Sequence, residues 1–182
     1  MTVWKTLALG LAALALLIAR PAAAYDPDNT LIMELAWGKV VIEMRPDLAP
    51  NHVARIKELA RKGFYDGTPF HRVIDGFMAQ GGDPTGTGTG GSGQNLRAEF
   101  SGEPFTRGIV GMARSNSPHS ADSQFFIMLG SAPSLDGHYT VWGRVIEGME
   151  NVDKITKGDQ GGDGIVTKPD KLLHLRVAAD VK

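Results

Sequence analysis

Hydrophobic and polar positions change period along the chain, and the changes divide it into elements. Leu31, Met33 and Leu35 alternate with Ile32, Glu34 and Ala36, and Val40, Ile42 and Met44 alternate with Val41, Glu43 and Arg45. Alternation of this kind marks a strand with one face on a core. Gly38-Lys39 between the runs suits a tight turn, so the pattern predicts a hairpin over 31–44. Pro46-Asp47-Leu48-Ala49-Pro50 ends the second run. Val53, Ile56, Leu59 and Ala60 then recur at helical spacing, with Arg55, Lys57, Glu58, Arg61 and Lys62 outside. Pro50 fits a first helical turn and Gly63 a C-terminal cap, which predicts a helix over 50–62.

Short apolar runs follow at 70–74, 78–80, 96–99, 108–114, 124–129, 140–146 and 172–178, each read as a strand. Turn-type dipeptides lie between them: Asp66-Gly67, Asp75-Gly76, Ser101-Gly102, Asp136-Gly137 and Glu147-Gly148. A second short helix is expected over 149–157, with Val152 and Ile155 on one side. Many short strands with two helices favour a mainly β sandwich or barrel over a parallel βαβ sheet. No internal repeat or linker divides the chain.

The first 24 residues do not share this pattern. Lys5 precedes an apolar run, 6–19, and Ala22-x-Ala24 is a small-x-small site. As a helix the run would reach only about 21 Å, short of a hydrocarbon core of about 30 Å. The expectation is a signal peptide, 1–24, cleaved before Tyr25, and a single domain over 25–182 that leaves the membrane. The chain has no Cys, which excludes a disulfide framework, a thiol nucleophile and cysteine-held metal. It also suits export, where a free thiol would oxidise. A net charge of −1 lacks the basic excess of a nucleic-acid binder.

Little of the usual catalytic vocabulary is present. His52, His71, His119, His138 and His174 have no close metal-ligand spacing, and no Gly-x-Ser-x-Gly elbow occurs. Gly86-x-Gly88-x-x-Gly91 matches a dinucleotide fingerprint only formally, because no amphipathic helix follows it; a loop beside a binding site is the better reading. The unusual segments are 70–83 and 123–127. On strands, Arg72 and Ile74 share a face, as do Met78 and Gln80, and Gln124 and Phe126. Arg or Gln beside Phe and Met can build an apolar pocket with a few directed donors. Such a set can equally be a barrel core in which Arg72 meets a carboxylate, and composition leaves both open.

Phe70-His71-Arg72-Val73-Ile74-x-Gly76-Phe77-Met78-x-Gln80-Gly81-Gly82-Asp83 resembles the signature of the cyclophilin family of peptidyl-prolyl cis-trans isomerases. Gly88-Thr89-Gly90-Gly91, Gly111-Met112-Ala113, Ser123-Gln124-Phe125-Phe126-Ile127, Leu135-Asp136-Gly137 and Val141-Trp142-Gly143-Arg144-Val145 follow in family order. The resemblance spans about residues 29–177. It implies a closed eight-stranded antiparallel β-barrel capped by two α-helices, and acceleration of rotation about X-Pro bonds without cofactor or metal. It makes Arg72 the catalytic arginine, supported by Gln80. Phe77, Met78, Phe126 and Leu135 line the proline pocket, and Gly88, Ala113, the backbone of Arg114, and Gln124 border the peptide groove.

Three positions depart from the common family pattern: Ser134 where Trp is frequent, Tyr139 where His is frequent, and Arg114 where Asn is frequent. Tyr139 keeps an aromatic wall. Loss of the indole implies weak cyclosporin binding. Tyr139 and Arg114 resemble exported bacterial members, which together with the leader implies a periplasmic monomer acting on proline-containing segments of exported proteins. A proline-binding chaperone module without turnover is the alternative; retention of Arg72 speaks against it.

Overall fold

The computed structural model describes residues 25–181, and the expected leader, 1–24, lies outside the described residues. The strands are β1 (Thr30–Leu35), β2 (Gly38–Met44), β3 (Arg72–Ile74), β4 (Met78–Gly81), β5 (Ile109–Met112), β6 (Phe125–Met128), β7 (Val141–Glu147) and β8 (His174–Val177). Helix α1 (Pro50–Arg61) follows β2, and α2 (Met149–Asp153) follows β7. All strand pairs are antiparallel, in the order β3-β4-β6-β5-β7-β2-β1-β8. No described helix is long and apolar enough to cross a membrane.

The alternating positions of the first hairpin face inward as expected: Leu31, Met33, Leu35, Val40, Ile42 and Met44 are all buried. Val53, Ile56 and Leu59 of α1 join the same core, with Val110, Phe125, Ile127 and Trp142 from the central strands. Fully burying each such aliphatic side chain stabilises by about 1.5–3 kcal/mol. Helix α1 ends in paired bonds from Gly63 N to Ala60 O and from Phe64 N to Leu59 O, both 3.0 Å. That is the Schellman arrangement, with Gly63 just past the end.

Several expectations are corrected. The sheet curls into a half-barrel but does not close, since β3 and β8 form no ladder with each other. Irregular chain from 164 to 172 fills the gap, through bonds from Val73 N to Gly164 O, Val166 N to His71 O and Phe70 N to Asp170 O. Pro169 in that segment has no N–H to extend a ladder. The hairpin turn is Ala36-Trp37 rather than Gly38-Lys39, with Leu35 opposite Gly38. The Trp37 indole donates to Asn151 O and Asn151 Nδ2 donates to Lys39 O, which ties the turn to α2. Helix α2 stops at Asp153, four residues short of expectation.

No strand forms over 96–99, because that segment's polar groups are used elsewhere. The Glu99 amide donates to Thr140 Oγ1. Its carboxylate accepts from the Asn51 and His52 amides and lies 2.6 Å from His52 Nδ1. Ala49 offers no side chain to cap α1, and Glu99, distant in sequence, supplies the missing acceptor.

Candidate functional site

Strands β4, β5 and β6 are buried on both faces, and the site is built on the face opposite the main core. Arg72 lies directly opposite Gln80, Gln80 opposite Phe126, and Phe126 opposite Gly111. Cross-strand partners project from the same face, so this row runs from a charged edge to an apolar centre. Met78 and Met128 sit two residues away on β4 and β6, where the period of two returns to that face. They join Phe105, Ile109, Phe126, Ala132 and Val141 in a second apolar cluster. Phe105 stacks on Phe126 at 5.7 Å, and Tyr139 meets Phe126 edge-on at 5.8 Å. A Cβ on Gly111 would lie 2.7 Å from both Phe105 and Phe126. Glycine there gives the two rings room to stack.

Above this floor is a hollow of about 120 Å³ lined by Arg72, Phe77, Met78, Gln80, Ala113, Arg114, Phe126, Leu135 and Tyr139. A wider hollow of about 370 Å³ adjoins it, sharing Gln80, Ala113 and Arg114 and adding Gly88 and Gln124. Every residue that the sequence singled out for the site therefore lines one hollow or the other. Leu135 enters from a short 3-10 turn, Pro133–Leu135, and Ser134 beside it is exposed.

The polar groups form one directed chain. Gln124 Nε2 donates to Gly88 O at 3.0 Å and Gly90 O at 2.8 Å. Gln80 Nε2 donates to Gln124 Oε1 at 3.0 Å, and Arg72 Nη1 donates to Gln80 Oε1 at 3.4 Å. Each amide is thus oriented by its neighbour, and the Gly-rich loop is coupled to the guanidinium. Arg72 Nε donates to Asp163 O at 2.8 Å, and Nη2 meets Asp163 Oδ1 at 3.0 Å. The guanidinium is therefore fixed on two sides while its side chain stays 27% open to the hollow.

Asp83 anchors the loop. Its carboxylate is fully buried and accepts from Thr85 N, Thr85 Oγ1, Gly88 N and Gly90 N at 2.7–3.1 Å. Burial pushes the Asp83 carboxyl up, but these donors outweigh it and the net shift is downward. A Cβ on Gly90 would overlap Asp83 Oδ1, so only glycine lets the loop close on the carboxylate. His71, the residue before β3, is buried and lines neither hollow. Its burial lowers its pKa and favours the neutral ring.

Three contributors lay outside the sequence-based set. Phe105 left no periodic signal because it sits in an irregular segment after Pro104. Asp163 reaches Arg72 from a distant glycine-rich turn. Asp83 stood within the quoted signature, but only the structure shows its four bonds. No group of three or more His, Cys, Asp or Glu is placed to hold a metal ion among the described residues.

The family model described as cyclophilin type peptidyl-prolyl cis-trans isomerase/CLD matches residues 30–177. A probable peptidyl-prolyl cis-trans isomerase of Brucella suis is 54% identical over 173 residues, covering 88% of each chain. Peptidyl-prolyl cis-trans isomerase B of Bacillus subtilis is 45% identical over 123 residues, covering 66% of this chain and 85% of its own. Among solved structures, a cyclophilin from Hirschia baltica superposes with a TM-score of 0.77 at 32% identity, covering 87% of this chain and 77% of that one. A Cryptosporidium parvum cyclophilin type peptidyl-prolyl cis-trans isomerase, solved in the presence of the dipeptide Ala-Pro, gives 0.73 at 29% identity, covering 81% and 98%. With a half-barrel, a row of Arg, Gln and Phe across its strands, and a family match over nearly all of the described residues, the chain belongs to the cyclophilin-type peptidyl-prolyl cis-trans isomerases, enzymes that are isomerases (rotamases).

Proposed function

We propose that the 120 Å³ hollow receives the proline ring of a polypeptide and that Arg72 drives rotation of the bond preceding it. The X-Pro bond resists rotation through its partial double-bond character, with a barrier of about 18–20 kcal/mol. Bringing an exchange of tens of seconds or more to milliseconds requires removing about 6 kcal/mol. The ring rests against Phe77, Met78, Phe126 and Leu135 while the preceding carbonyl turns. The guanidinium, directed at the prolyl nitrogen, favours its pyramidal form and withdraws the resonance that makes the barrier. This is preorganised electrostatic stabilisation, and it uses no covalent step, cofactor or metal.

The observation that carries this reading is the fixed guanidinium at the rim of a small hollow with an apolar floor, held by Asp163 and aligned by Gln80. Arg suits the role better than Lys because its planar fork stays charged and keeps one orientation. Gly88, Ala113, Arg114, Gln124 and Tyr139 border the peptide on either side. The substrates are proline-containing segments of proteins folding in the periplasm, reached by export and cleavage before Tyr25. The mature enzyme works as a monomer and binds cyclosporin weakly, because the exposed Ser134 gives the drug no indole.

Exchange NMR on a blocked proline peptide tests the catalytic reading. The wild-type chain is expected to accelerate cis-trans exchange, and Arg72→Lys and Arg72→Ala to lose about a hundredfold or more in kcat/KM while staying folded. A near wild-type rate for Arg72→Lys would show that charge alone suffices and overturn the role given to the fork. N-terminal sequencing of the exported protein tests the compartment, with Tyr25 expected first.

A further inference from the structure

Arg114 stands at the divide between the two hollows and lines both. Its guanidinium carbon lies over the Tyr139 ring, 4.4 Å from the centroid. Most arginines among the described residues meet a carboxylate, as Arg72 meets Asp163 and Arg107 meets Asp153. Arg114 meets none. Its partners are carbonyl oxygens: Nε and Nη2 donate to His138 O at 3.2 and 3.0 Å, and Nη1 donates to Ser115 O and Asn116 O at 2.9 and 3.5 Å. A guanidinium carries five N–H donors. Four are used on neutral acceptors, so one Nη2 donor and the full charge remain for a ligand. The side chain is also held in place by the ring and the carbonyls, so little freedom is lost when a ligand arrives.

The other charged group lining the wider hollow is Asp122. Its carboxylate is occupied by the Ser92 amide and hydroxyl and by the Gly93 amide, which keeps it within the loop. The hollow thus offers a guanidinium with a spare donor at its boundary with the proline pocket, while the Asp122 oxygens are turned to loop donors and away from that spare N–H.

Resting on the isomerase reading above, we infer that Arg114 sets a sequence preference: the enzyme favours polypeptides with an acidic side chain next to the proline, whose carboxylate accepts from Arg114 Nη2. The neutral carbonyl partners need not be displaced, and stacking on Tyr139 keeps the fork facing the groove. Carboxylates suit this geometry because a planar guanidinium donates to them in fixed directions.

The test uses blocked peptides that differ only in Glu or Gln, placed immediately before or immediately after the proline, with kcat/KM read by exchange NMR. At low salt the wild-type chain is expected to prefer Glu at one of the two positions by about three- to tenfold, as for a partly exposed charge pair. In Arg114→Gln the Glu/Gln ratio should fall to about one or below, whatever happens to overall activity, because both peptides meet the same altered groove. The ratio in the unmodified chain should also shrink toward one near 1 M salt, where charges are screened within about 3 Å; this needs no variant. A wild-type ratio of one at both positions, or a ratio unchanged in Arg114→Gln, overturns the inference and leaves the isomerase reading intact. Failure of the wild type to accelerate any of the peptides would overturn the isomerase reading itself.

Discussion

Asp83 touches no substrate in the arrangement proposed above, yet its removal should disable the groove. Its carboxylate accepts four hydrogen bonds, two from loop amides at Gly88 and Gly90 and two from Thr85. Hydrogen bonds to a charged group contribute about 1.5–3 kcal/mol each. That sum is not lost in full, because Thr85 and Gly88 are exposed and their donors can turn to water. A net loss of about 2–3 kcal/mol is expected for Asp83→Ala, which lowers Tm by roughly 5–10 °C in a domain of this size. Asp83→Asn keeps one carbonyl acceptor and should lose less. The functional consequence travels through Gly88 O and Gly90 O, which hold Gln124, which orients Gln80, which aligns Arg72. With the loop released, kcat/KM for a proline peptide should fall about tenfold, since small misplacements of positioning groups are costly. Denaturation and exchange NMR give the two numbers, and hydrogen exchange at Gly88 and Gly90 reports the loop directly. If Asp83→Ala kept those amides protected and kcat/KM within twofold, the loop would be held by something else and the coupling argued here would be wrong. The sign with pH also follows. The Asp83 carboxyl sits below its ordinary 3.8 in the fold, so its stabilisation is complete above that value. It is lost as pH falls through the lower folded value, and the loop should not titrate near neutrality.

Phe126→Ala should cost about 3 kcal/mol, the low end of the range for a buried Phe because one side faces the hollow, and should raise KM more than it lowers kcat; denaturation and steady-state rates check both. Asp66 is held down to about 2 chiefly by the Arg176 fork, with His174 and Leu175 N adding to it, which fastens β8 to the turn after α1. The gap from 3.8 corresponds to about 2 kcal/mol, which screening at this partly open site cuts to on the order of 1. That stability is present above pH 3.8 and lost as pH falls through about 2, and Asp66→Asn should remove it at pH 7, as thermal melts will show. Catalytic efficiency should be flat from about pH 5.5 to 8.5, since the mechanism transfers no proton and a guanidinium is a permanent charge in that range. His71, neutral and buried, should affect stability below its ordinary 6.5 rather than turnover; a rate limb near pH 6.5 that vanished in His71→Asn would make it a general acid or base instead.

The elements with one buried face were legible in the sequence. Alternation in β1 and β2 and the helical spacing from Val53 to Ala60 each gave the correct element to within a residue or two. The hairpin turn was displaced because its position depends on Asn151, far along the chain, and not on the local Gly38. The strand expected over 96–99 failed for a similar reason. Leu96 pairs at a single bridge with Ala121, while Glu99 is committed to α1. A local pattern cannot show that a polar group has a distant partner. Closure of the barrel was an inference from the resemblance alone, and it fails where Pro169 and the glycine-rich turn replace a ladder.

The site itself illustrates why a resemblance was needed to find it. Strand β6 reads Phe125-Phe126-Ile127-Met128, with no polar residue to mark a face, because Phe125 and Ile127 fill the main core while Phe126 and Met128 build the floor of the hollow. A strand buried on both sides loses the period-2 signal that distinguishes inside from outside. What survives is Arg72 and Gln80 on short neighbouring strands, where a lone charge in an apolar run fits a paired core residue as well as a catalytic one. Register speaks against the core reading. Arg72 opposite Gln80 and Gln80 opposite Phe126 put all three on the face away from the barrel core. A one-residue shift of β3 against β4 would turn Arg72 toward the core, and one of β4 against β6 would do the same to Gln80. The short strand β3 is pinned in that register by Val73, whose amide bonds Gly164 O and whose carbonyl accepts from Gly158 N. The irregular chain at the open seam, taken from 158 to 172, is therefore also what holds the arginine in its place, and its Asp163 completes the clamp on the guanidinium. The open seam and the fixed charge are two consequences of the same stretch of chain.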